Sequence, residues 1–273
     1  MSKIVISKEE LQRLYWDERK SSIKIGKLFH CHPMTIRNRI HEFGIVKRNP
    51  SDARMRYDKQ NFSGNSFEKA YMLGFRLGDL NAYQTNSNSD LIIVRCHTTQ
   101  KVQVNLMNEL FSKYGRVTIS KSSYGYNVNC YLNTTFKFLL PKHRKVQKYI
   151  QGESNYLAFM AGYIDAEGSF ELNQLKARFK IDSYDVEILA WMKNLLQKFS
   201  LRIIFRQIAK KGQPQYRIGI FHKDLWRLEI NEARSILKFI HMVGPYMRHE
   251  KRKADMIRCQ HNIEERLYKE TIV

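Results

Sequence analysis

Leu11, Leu14 and Tyr15 recur at helical spacing in SKEELQRLYWDER (7–19), behind Ser7 and a Glu10 three residues on, the spacing of a capping box. A second short helix is predicted over SIKIGKLF (22–29), and a third from Pro33 through MTIRNRIHEF to a stop at Gly44. Ile25, Gly26, Cys31, Ile36 and Ile40 fall where helices joined by a tight turn need apolar or small residues. Residues 1–46 therefore read as a helix-turn-helix DNA-binding domain, with a three-helix bundle for protein contacts as the alternative. The outward positions of its third helix, Met34, Thr35, Arg37, Asn38 and Arg39, are those that reach base edges and phosphates in a major groove. His30, Cys31 and His32 lack a second pair of ligands nearby, so zinc is not expected there. Residues 47–66 are polar, basic and nonperiodic, with Pro50, Ser63 and Gly64 as breakers, and read as a linker.

Beyond the linker the pattern repeats itself. AYMLGFRLGDL (70–80) and AFMAGYIDAEG (158–168) align at an offset of 88. Ala70, Gly74 and Gly78 match Ala158, Gly162 and Ala166, so each segment predicts a helix with one smooth ridge against which another helix packs closely. Each ridge ends in an acid, Asp79 or Glu167, at a helix C-terminus where the macrodipole disfavours a carboxylate. A divalent cation would supply the compensation, and two ridges related by a pseudo-two-fold axis would bring the two acids side by side.

Alternating strand-like segments follow each ridge: LIIVRCH (91–97), RVTIS (116–120) and YNVNCYL (126–132) in the first half, then SFELN (169–173), ARFKI (177–181), LRIIFRQ (201–207) and QYRIGIF (215–221) in the second. The amphipathic segments MNELFSKYG (107–115) and MKNLLQKFS (192–200) separate the strand pairs. The predicted class is α+β: an αββαββα half over 67–150 and another over 151–273, with antiparallel sheets forming a saddle, plus the small all-α domain. Asn127, Asn129, Glu171, Asn173, Arg178, Lys180, Arg202, Arg206 and Arg217 are the polar positions expected to face DNA from the sheets.

Composition narrows the partners. The 47 Lys+Arg against 26 Asp+Glu give a formal charge of +21, and 43% hydrophobic residues supply a core, so neither an acidic metabolic enzyme nor a disordered basic tail fits. Residues 1–60, 61–150 and 151–273 hold 14, 12 and 21 Lys+Arg against 7, 4 and 15 Asp+Glu, so every third is basic, unlike a single membrane-anchoring cluster. A double-stranded DNA partner and no membrane are predicted. The four cysteines form no C-x-x-C pair and no leader precedes them, so a reducing compartment is expected: the cytoplasm, on nucleoid or phage DNA, or an organelle matrix.

MAGYIDAEG (160–168) resembles the signature of the LAGLIDADG homing endonucleases, and LGFRLGDL (73–80) resembles its partner copy. The resemblance covers about three quarters of the chain. It implies a monomeric double-motif enzyme that makes a double-strand break with Mg²⁺ or Mn²⁺, with Asp79 and Glu167 each serving one DNA strand and the carbonyls of Gly78 and Ala166 as further metal ligands. It also implies a basic residue near the end of the fourth strand, for which Lys223 in YRIGIFHK (216–223) is the match. Metal-assisted hydrolysis would follow, with charge stabilised at the pentacovalent phosphate. The first motif ends in Leu80 where the family usually has glycine, and no counterpart of Lys223 stands around Leu132–Thr134, which implies unequal sites. Some family members assist splicing of their host intron RNA, so the alternative is a non-cleaving nucleic-acid binder, a maturase or a regulator.

Overall fold

Ser7 accepts a hydrogen bond from the Glu10 amide at 3.1 Å, satisfying one orphan donor where the first helix begins. In the computed structural model, which describes residues 5–48, 57–215 and 219–269, this helix, α1 (Lys8–Gln12), continues as a π-turn over Arg13–Asp17. Helices α2 (Ser22–Leu28) and α3 (Pro33–Glu42) follow, and Leu11, Leu14, Ile25, Ile36 and Ile40 form a small core of their own. A Cβ on Gly26 would stand 2.7 Å from the Cys31 carbonyl oxygen, so glycine is what permits the tight turn into α3. These elements belong to one of two compact units, Met1–Asp58 and Lys59–Val273.

The predicted linker is shorter than its polarity indicates. Part of it lies outside the described residues, but its end belongs to the second unit: the Gln60 amide donates to the Tyr114 carbonyl at 2.8 Å, and the Phe62 ring packs on Tyr114, Phe136 and Phe138. The Phe62 ring and the hydrogen bonds of Gln60 and Phe62 anchor it together.

The second unit is organised by α4 (Ser66–Asp79) and α6 (Glu153–Glu167), which pack along their length. A Cβ on Gly74 would sit 2.0 Å from the Phe159 carbonyl oxygen, and one on Gly162 would sit 2.1 Å from that of Tyr71. Residues 71 and 159 are themselves related by the repeat, so the two clashes are the same contact read from either side of a pseudo-two-fold axis. Stacked rings repeat the relation, Tyr71 on Phe75 and Phe159 on Tyr163.

After α4 come β1 (Asn81–Gln84), β2 (Ile92–Thr98), α5 (Lys101–Phe111), β3 (Arg116–Ser122) and β4 (Gly125–Leu132), and the sheet order is β1-β2-β4-β3. After α6 come β5 (Gly168–Asn173), β6 (Lys176–Ser183), α7 (Val186–Gln197), β7 (Ile204–Ala209), a ribbon of β8 (Pro214–Gln215) with β9 (Gly219–Ile220), and β10 (Leu225–Ile230). The second sheet has the matching order β5-β6-β10-β7, and all the pairings are antiparallel. Alternation decides the faces: Val128, Cys130 and Leu132 point to the core, and Asn127, Asn129 and Tyr131 point away from it. The first half closes with 3₁₀ turns over Thr134–Leu139 and His143–Tyr149, the second with α8 (Ala233–Val243) and α9 (Glu250–Tyr268). No described helix is long and apolar enough to cross a membrane.

Two strand assignments change. Asn81–Gln84 is an extra strand, too short to show alternation. QYRIGIF is not the fourth strand of the second sheet. Its described residues form the β8–β9 ribbon, with Gly219 at φ 114°, and LWRLEI takes the fourth place.

Candidate active site

Asp79 and Glu167 are the last residues of α4 and α6, and each leads directly toward the first strand of its half. At this end a Cβ on Gly78 would lie 2.3 Å from the Ala166 Cβ and 2.9 Å from the Glu167 Cγ, so the helices remain in near contact up to the acids. Both side chains stay open to solvent. Lost hydration nevertheless pushes the Asp79 carboxyl up to about 6. It also raises that of Glu167, where the nearby Asp79 charge adds to the effect. Neither carboxylate forms an ion pair among the described residues.

The surroundings of Asp79 are specific. Thr98 donates its hydroxyl to the Gln103 Oε1 at 3.0 Å, which turns the Gln103 amide nitrogen toward Asp79 Oδ2 at 2.8 Å. A cavity of about 310 Å³ opens there, lined by Asp79, His97, Thr98, Thr99, Gln100, Gln103, Asp165, Ala166, His249 and Arg252. Asp165 lies inside the second motif and is 1% exposed. Its Oδ2 accepts from the Tyr71 hydroxyl at 2.6 Å and from the Arg248 and His249 amides at 2.7 and 3.0 Å. The start of α9 is thereby pinned to the motif helix, and Arg252, one turn in, lines the cavity. Burial, then the Arg252 charge, brings the His249 imidazole down to about 4, so it is neutral at pH 7.

Two solvent-open carboxylates suit a cation that keeps water and other oxygens among its ligands. A closed protein cage is not offered, since no group of three or more His, Cys, Asp or Glu stands at metal-binding distance among the described residues. An all-oxygen donor pair of this kind fits a hard divalent cation.

Lys223 is exposed in the bend ahead of β10, since the ribbon displaces the fourth strand downstream, and like Glu167 it is not among the residues lining the cavity beside Asp79. Arg252 is the cation at the acids. Sequence reading missed it, along with Gln103, because neither belongs to the repeat. The buried acid Asp165 in an otherwise apolar ridge was a signal available in the sequence.

The other sequence-predicted residues divide by surroundings. Asn127 and Asn129 lie on the outward face of β4, and Asn129 Oδ1 accepts from Arg95 Nε at 2.8 Å. On the second sheet Glu171 pairs with Lys180 at 2.8 Å and Arg206 with Glu229 at 3.3 Å, while Arg178 stands opposite Glu171 and Asn173 is exposed at the end of β5. Arg202 precedes β7 instead of lying in it, and pairs with Glu232 at 3.3 Å. Arg217 lies outside the described residues. On α3, Met34 and Asn38 are exposed and Thr35 is half-buried; Arg37 Nε donates to Ser22 Oγ at 3.3 Å, and Arg39 pairs with Glu42 at 2.9 Å.

Residues 154–244 match the family model of the LAGLIDADG-like domain. The uncharacterized protein MJ0398 of Methanocaldococcus jannaschii is 26% identical over 181 residues, 63% of this chain and 64% of that protein, so the match spans less than two thirds of the relative's length. Among solved structures, I-DmoI in complex with DNA and Mn is similar at 20% identity and a TM-score of 0.47, over 65% of this chain and 96% of that one. Full-length DUF199/WhiA from Thermatoga maritima is similar at 14% identity and 0.46, over 75% and 62%. The family match thus falls on the second half, from the motif helix α6 through α8, and includes Glu167.

Proposed function

We propose that the protein is a site-specific DNA endonuclease that makes a double-strand break by divalent-metal-dependent hydrolysis, acting as a monomer. The observation that carries this reading is the pseudo-symmetric pair Asp79 and Glu167, solvent-open, side by side at the ends of packed helices and without ion-pair partners among the described residues. Bound Mg²⁺ or Mn²⁺ would stabilise charge on the scissile phosphate and activate water. The protein's own share is to hold the carboxylates. Gln103 orients Asp79, the neutral His249 leaves the site's charge to Arg252, and Arg252 faces the negative charge that grows on the phosphate. The Met1–Asp58 unit would extend the recognition site through Met34, Thr35, Arg37, Asn38 and Arg39.

The test is incubation with randomised duplex DNA and Mg²⁺, followed by sequencing of the ends produced. Wild-type protein cuts both strands at one sequence; Asp79→Asn and Glu167→Gln each leave a nick in opposite strands, with the lost cut slowed roughly a thousand-fold. No metal-dependent cut by the wild type sinks the reading. A second reading, a non-cleaving binder of DNA or intron RNA, is favoured by Leu80 and Leu77 standing where the second motif has Gly168 and Asp165. Binding or splicing that survives both substitutions supports it.

A further inference from the structure

The second and fourth strands form the centre of each sheet, and on the outward face of each centre one arginine is held by an acceptor across the strand pair. In the second sheet, Arg227 of β10 stands opposite Asp182 of β6. Its Nε and Nη2 donate to Asp182 Oδ1 and Oδ2, both at 2.6 Å. In the first sheet, Arg95 of β2 stands opposite Asn129 of β4, and its Nε and Nη2 donate to Asn129 Oδ1 at 2.8 Å and the Tyr83 hydroxyl at 3.2 Å. The cation and its acceptor have exchanged strands between the halves, yet the same edge of the guanidinium is occupied in both.

Three of the five guanidinium donors remain: two on Nη1 and one on Nη2, which form an end-on fork. Nη1 has no partner in either arginine among the described residues. Such a fork matches O6 and N7 of guanine in the major groove. A phosphate contact needs no fixed orientation, and Asp182 beside a phosphate would repel it, whereas the guanine edge is uncharged. A half-buried ion pair at a sheet surface also adds only modestly to stability, so fold maintenance alone explains the Asp182–Arg227 geometry poorly. The register puts both arginines near the reacting ends: Arg95 faces Asn81, two residues past Asp79, and Asp182 follows Ile181, which faces Gly168 next to Glu167.

We propose that Arg227, oriented by Asp182, reads a guanine in the half of the target under the second sheet, and that Arg95, oriented by Asn129 and Tyr83, reads one under the first. This rests on the endonuclease reading, and it makes Asp182 and Asn129 positioning residues for specificity.

The test is selection of bound sequences from randomised duplexes, in Ca²⁺, by the full chain and by Arg227→Ala, Arg227→Lys, Asp182→Asn and Arg95→Ala, with thermal melting to verify folding. Wild type enriches one guanine in each half, on the side nearer the cut. Arg227→Ala and Arg227→Lys lose preference for one of them by roughly ten- to a hundred-fold and leave the other half unchanged. Arg95→Ala does the same in the other half, and Asp182→Asn gives a smaller loss at the Arg227 position. Uniform weakening across all sequences, with a salt slope shallower by about one, identifies a phosphate contact and overturns the inference while the endonuclease reading stands. A wild type that enriches no sequence overturns both.

Discussion

The four strands of the first sheet contain no Asp or Glu, and their outward face presents Arg95, His97, Asn127 and Asn129. The second sheet, built in the same strand order, presents Glu171, Asp182 and Glu229, bonded to Lys180, Arg227 and Arg206. One topology thus carries two charge arrangements, one with no carboxylate in its strands and one whose acids pair with its own cations. The same inequality reaches the acids. Asp79 is held by Gln103, whereas Glu167 has no hydrogen-bond partner of that kind among the described residues. Duplication fixed the backbone plan because the helix interface tolerates little change; the exposed faces were free to diverge.

The largest expected effect tests what the halves share. Gly162→Val places carbon within about 2 Å of the Tyr71 carbonyl, too near for backbone to yield. Loss of roughly 3 kcal/mol or more is expected, read as a lower midpoint in denaturant melts. Gly26→Ala meets the Cys31 carbonyl oxygen at 2.7 Å and tests the same device in the other unit, with a smaller loss. If Gly162→Val melts like the wild type, close helix contact is not what joins the halves.

A second prediction concerns the two acids without added metal. Because the native Asp79 carboxyl is pushed up to about 6 from an ordinary 3.8, the folded protein holds more protons than the unfolded chain between those values. Stability therefore falls as pH rises through that window and stays lower above it. Asp79→Asn should stabilise at pH 7.5 by about 1 kcal/mol, after allowance for solvent screening at an open site, and by little at pH 4. Mg²⁺ should raise the wild-type melting temperature at pH 7.5 and not that of the double Asp79→Asn, Glu167→Gln variant. Equal melting of Asp79→Asn and wild type at both pH values refutes the hydration argument.

The smallest effect addresses the faces themselves. Glu229→Gln frees Arg206 and should steepen the dependence of log Kd on log salt by up to about one, strengthening binding to unrelated DNA. Asn129→Asp makes the first sheet resemble the second, and should make that dependence shallower. Filter-binding at several salt concentrations reads both. Identical slopes would mean that the two charge arrangements meet DNA alike.

Much of this was legible before the structure. The helix pair, its small-residue ridges and the two terminal acids follow from local spacing repeated at one offset, and periodicity is a property that sequence carries directly. The fourth strand of the second half was misplaced because QYRIGIF alternates as well as LWRLEI does, and only pairing partners distinguish a ribbon from a sheet strand. Lys223 accordingly falls in the bend ahead of β10 and not at a strand end. Asp165, Gln103 and Arg252 meet at one cavity from three separate segments, with no periodic signature.

The duplicated plan, the charge and the two acids ending the ridges could be read from the amino acids alone, because each rests on residue type and spacing along one helix or strand. The tertiary structure decided which cation reaches those acids, which edge of Arg95 and Arg227 stays free, and which sheet neutralises itself. Those outcomes depend on register between strands far apart in the chain, where a shift of one residue turns a side chain to the opposite face.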